Sequence, residues 1–100
     1  MTIPSEILEL WQQYSSTPFP KGYGGKVING LDLSLLDAEI AGCIHMYVHN
    51  SGELDSRHVE ILSKCLVDLN TVLLLLNHEE LTYFNRLGQL ADLVLQEVKR

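Results

Sequence analysis

The sequence predicts an all-α fold: a compact antiparallel four-helix bundle, one domain over residues 1–100, with a long glycine-rich loop between helices 1 and 2. Three observations predict it. Apolar residues return at steps of three and four in four separate stretches, the period of a helix with one buried face. The second and third connections are short, as they are between antiparallel neighbours. One hundred residues can bury a single core but cannot supply a second domain or a cofactor-binding sheet with crossover helices.

Helix 1 is expected from about Pro4 to Tyr14, where Ile7, Leu8, Trp11 and Tyr14 form a short periodic run. Proline is comfortable in a first turn, because its missing N–H would have no partner there. Trp11, the only tryptophan, is expected to fasten this helix to the others through its large apolar area. Ser15, Ser16 and Thr17 offer side-chain competition to the backbone bonds and end it.

From Pro18 to Asn29 no periodicity survives, and prolines and glycines resist regular structure. The segment carries Phe19, Tyr23, Val27 and Ile28, which a mobile linker has no reason to hold. It is expected to lie packed over the helices, with Asn29-Gly30 turning the chain into the next one. Gly22 to Lys26 superficially resembles a phosphate-cradling loop, but no Ser or Thr follows Lys26 and no strand leads into it.

Helix 2 begins at Asp32 or Ser34, both capping residues, and runs to about Asn50. Leu33, Leu36, Ile40, Cys43, Ile44 and Tyr47 trace its buried face. Ala38, Ala41, Gly42, His45 and His49 lie opposite, where small side chains would let the long loop or a second copy of the chain come close. Helix 3, Asp55 to Leu76, is expected to be the central element. Its stripe is Val59, Leu62, Cys65, Leu66, Leu69, Val72, Leu73 and Leu76, and Val67, Leu74 and Leu75 widen it until the C-terminal end is apolar almost all round. Helix 4 follows Asn77, whose pairing with Glu80 has the reciprocal capping pattern, and Glu79 and Glu80 place negative charge at its positive end. Gly88 lies on its inward stripe and permits close approach to another helix.

Thirteen Asp and Glu against seven Lys and Arg give a formal charge of -6, which disfavours nucleic acid and anionic membranes through repulsion of their phosphates. The longest unbroken apolar run, Val72 to Leu76, is too short to span a bilayer, and no secretory signal opens the sequence. The expected location is the cytoplasm. Cys43 and Cys65 fall on helix faces expected to be buried and are read as free thiols acting as small hydrophobes.

No catalytic constellation, cofactor motif or metal-ligand spacing stands out. The sequence is therefore read as a small protein-interaction module, accessory or regulatory, without catalytic chemistry. A ligand-binding or catalytic domain built on Tyr23, His45 and His49 is the alternative, and a histidine-ligated metal site on His45 and His49 is a further one, because residues four apart on a helix point the same way. Self-association as a homodimer is expected, with another protein partner open. The interface candidates are Ala38, Gly42, Val67, Leu74, Leu75, Tyr83 and Leu90, which extend the apolar circumference beyond one stripe per helix.

Overall fold

The computed structural model describes residues 2–22, 24 and 26–99. Along the chain come α1 (Ser5–Ser15), β1 (Val27–Ile28), β2 (Leu31–Asp32), α2 (Leu33–His49), α3 (Ser56–Leu73) and α4 (His78–Val98). The helices form a four-helix bundle with a Cα radius of gyration of 13.0 Å, close to the value of about 13 Å for a compact chain of this length.

The N–H groups of Ile7 and Leu8 donate to the Pro4 carbonyl at 3.1 and 3.3 Å and open α1. At its far end the hydroxyls of Ser16 and Thr17 donate to the carbonyls of Gln12 and Gln13, which is the side-chain competition expected there. Trp11 packs against the core as expected, but it is not the most deeply buried residue of α1. Ile7 is the residue the helix buries fully, at 1% exposure, while Trp11 is only half-buried and stacks on Tyr14 at 5.5 Å between centroids.

The long connection contains a minimal hairpin that the sequence suggested only as a turn. Asn29 and Gly30 have φ of 54° and 76°, so both central residues are left-handed, the requirement of the two-residue turn whose twist matches antiparallel strands. Val27 pairs with Asp32 and Ile28 with Leu31, and the Leu33 N–H donates to the Lys26 carbonyl at 3.0 Å. Phe19, Ile28 and Leu31 pack against the core, but Val27 faces outward.

Asp32 caps α2, its carboxylate accepting from the N–H groups of Ser34 and Leu35. All six residues expected on the inner face of α2 are buried. Asp55 caps α3 by accepting from the His58 N–H at 2.8 Å. That backbone bond, with the His58 ring beside it, holds the Asp55 carboxyl below its ordinary range.

The C-terminal end of α3 corrects the sequence reading. The helix stops at Leu73, where the N–H groups of Leu75 and Leu76 switch to the tighter bonds with the carbonyls of Val72 and Leu73. Leu76 turns inward at 3% exposure, whereas Leu74 is 91%, Val67 64% and Leu75 52% exposed. The added apolar side chains thus face outward. The expected reciprocal cap at Asn77 is likewise not formed. His78 has a left-handed φ of 54°, so the first residue after Asn77 lacks the helical geometry on which that cap depends.

The central element is α4, not α3. It packs against α1, α2 and α3, while α2 and α3 also pack on each other. It buries Tyr83, Phe84, Leu87, Gly88, Leu90, Ala91, Val94 and Leu95, against four residues in α3. Gly88 sits where a Cβ would lie 3.4 Å from Leu69 Cδ2 and 3.9 Å from Leu66 Cδ1, so the close approach expected at this glycine is to α3.

Candidate functional site

A cleft opens between residues 17–21 and the first three turns of α4. It has a volume of about 830 Å³ and is lined by Thr17, Pro18, Phe19, Pro20, Lys21, His78, Glu79, Thr82, Tyr83 and Arg86. One wall is fixed by ring contacts. Phe19 meets Tyr83 and Phe84 edge-on at 5.6 and 5.9 Å, and Tyr83 meets Phe84 at 5.1 Å, in the tilted arrangements that aromatic quadrupoles favour. Arg86 Nη1 donates to Thr17 Oγ1 at 3.2 Å and joins the two sides.

Behind this wall, α1, α2 and α4 share a polar knot. The hydroxyls of Tyr14 and Tyr83 both donate to Asp37 Oδ1, at 2.7 and 2.9 Å. Burial raises the Asp37 carboxyl above its ordinary value, although the two hydroxyls favour the ionised form and oppose that rise. Burial also pushes Tyr83 up to about 12, helped by Asp37 and opposed by Tyr14, and it raises Tyr14, helped by Tyr83 and then by Asp37. Both phenols therefore stay protonated donors at neutral pH.

The residues singled out in the sequence are placed as follows. His45 and His49 do come together, with ring centroids 4.0 Å apart and Trp11 6.4 Å from His45. They are exposed and line none of the larger clefts. Tyr23, the third ligand candidate, lies outside the described residues. Among the described residues no three His, Cys, Asp or Glu side chains converge to hold a metal ion.

Tyr83 and Leu90 differ from expectation, being core residues at 6% and 0% exposure, so intrachain packing covers the arc they were expected to broaden. Ala38, Gly42, Val67, Leu74 and Leu75 are exposed, and a Cβ at Gly42 would meet nothing within 4 Å. The thiols are buried and free. Cys65 Sγ donates to Glu39 Oε2 at 3.4 Å, and burial together with that carboxylate raises Cys65 to about 12. Burial raises Cys43 as well.

The sequence reading missed the cleft. Phe19 and Pro18 were visible as an unusual loop and Tyr83 as an apolar residue of helix 4, but nothing in their spacing joins them. The one available signal was chemical: a tyrosine on a helix face expected to be apolar needs a partner for its hydroxyl. No helix is long and apolar enough to cross a membrane among the described residues. No protein-family model, curated protein or solved structure matches this chain.

Proposed function

We propose that this chain is a small protein-interaction module, an accessory or regulatory component, and that it pairs with a second copy of itself through the exposed apolar end of α3. A compact helical domain without an assembled catalytic or metal centre among its described residues supports that reading. The carrying observation is the outward placement of Val67, Leu74 and Leu75 beside a core that is already filled. Three large apolar side chains so close in sequence, one of them almost fully exposed, mark a contact surface more than a solvated helix end.

Charge does not oppose this end. From Cys65 to Asn77 the only charged residue is Asp68, so the repulsion that a net charge of -6 imposes on two copies is weak there. Ala38 and Gly42 expose little apolar area by comparison and serve at most as a secondary contact. The two free buried thiols fit a reducing compartment such as the cytoplasm. Sedimentation equilibrium over a wide concentration range tests the reading. A dimer mass that reverts to monomer in the Val67→Glu/Leu74→Glu double variant is expected, and a monomer at every concentration defeats self-association.

A further inference from the structure

We propose that the cleft between residues 17–21 and α4 binds a small organic anion, a molecule with an apolar or aromatic body and one carboxylate or phosphate, through the guanidinium of Arg86. The volume of about 830 Å³ falls within the range of roughly 300–1,000 Å³ usual for small-ligand sites. The shape of the lining matters more. Phe19 and Pro18 supply an apolar wall, and the edge-on contacts of Phe19 with Tyr83 and Phe84 hold that wall in place before any ligand arrives.

Charge selects the ligand. The chain as a whole is acidic, yet the cleft gathers Lys21 and Arg86 against Glu79 among its described lining residues. Arg86 is half-buried. Its one described bond is to a neutral hydroxyl, that of Thr17, and no carboxylate of the described residues pairs with it. A partly desolvated guanidinium bonded, among the described residues, to Thr17 retains N–H donors in the planar fork that matches a carboxylate or phosphate. Thr17 aligns that fork from one side, and Lys21 adds a second positive charge at the rim.

The site is independent of self-association through α3, and its test reads different residues. Phenylacetate and phenyl phosphate, titrated into the 15N-labelled protein, are expected to shift the amide signals of residues 17–21 and 78–86 saturably. Phenylacetamide, which keeps the body and lacks the charge, and acetate and inorganic phosphate, which lack the body, are expected to bind at least about tenfold more weakly. The stronger of the two aromatic anions identifies whether the fork takes a planar or a tetrahedral group. Arg86→Gln is expected to weaken binding by about tenfold or more, and Arg86→Lys, which keeps the charge without the fork, to recover only part of it. Lys21→Ala, at an exposed position, provides a second variant with an intact fold and a smaller loss. Absence of saturable shifts at these residues, equal binding of phenylacetamide, or unchanged affinity in a folded Arg86→Gln protein would each overturn the assignment.

Discussion

Asp37 shows how a half-buried charge can be tolerated without an ion pair. Two hydroxyls converge on one carboxylate oxygen and replace part of its lost hydration. Burial still wins, and the carboxyl sits above its ordinary 3.8. The folded state therefore holds this proton more tightly than the unfolded state. Its contribution to stability is fully present below the unfolded value and is lost as pH rises through the raised folded value. Asp37→Asn cannot ionise and escapes that loss, so relative to the wild type it should be favoured more at pH 7 than in acid. Guanidinium unfolding midpoints for the two proteins across this interval provide the comparison; a difference independent of pH would contradict a raised Asp37. Tyr83→Phe, which removes one hydroxyl that favours the charged form, should deepen the loss. The thiols make a complementary prediction. Thiolate is the nucleophile, and burial raises both cysteines, Cys65 to about 12. Neither should react with a disulfide reagent at pH 8 until the protein is unfolded, and rapid labelling of the native chain would refute this.

Gly88 links a single missing side chain to the packing of two helices. A methyl group there would touch Leu69 and Leu66 at 3.4 and 3.9 Å, ordinary contact distances, while alanine favours a helix interior over glycine by about 1 kcal/mol. Gly88→Ala should consequently stabilise the protein by about 0.5–1 kcal/mol, raising the melting temperature by about 2–8 °C. Gly88→Val, larger and β-branched, should press α4 away from α3 and destabilise it. Calorimetry on both variants distinguishes a tolerant contact from a tight one. This glycine was visible in the sequence, as were all four helices and the whole inner face of α2, because helical periodicity is a local property written every three or four residues. What local pattern could not show was which helix the others gather round. The apolar surplus of α3 suggested centrality, yet Leu74 and Leu75 lie beyond its last turn and point outward, whereas the surplus on α4, Tyr83 and Leu90, is buried by contacts from the other helices. Exposure of an arc depends on tertiary neighbours and on where the helix stops. The cleft was hidden for the same reason: Thr17 and Arg86 meet only because α1 lies against α4.

The filled core bears directly on what kind of dimer this chain can make. Ile7 from α1, the inner faces of α2 and α3, and the length of α4 form one buried cluster, and no polar or charged residue is buried among the described residues. Such a chain does not need a partner to fold, so pairing through Val67, Leu74 and Leu75 would join two completed folds. Pairing of this kind has three consequences, the first of which an obligate dimer would not show. The Val67→Glu/Leu74→Glu variant should dissociate while its monomer loses no more than about 1 kcal/mol against the wild-type monomer, since both positions are exposed and the main cost is an acidic group at the negative end of α3, where Leu74 is the C-cap. Association should strengthen with added salt, because screening reduces the repulsion between two chains of charge -6 while leaving apolar burial in place. The melting temperature of the wild type should rise with protein concentration, and that of the double variant should not. Sedimentation at low and high salt, paired with melts over a concentration series, measures all of these together. A dimer weakened by salt would place the contact on charged groups instead, and would remove the apolar end of α3 as its seat.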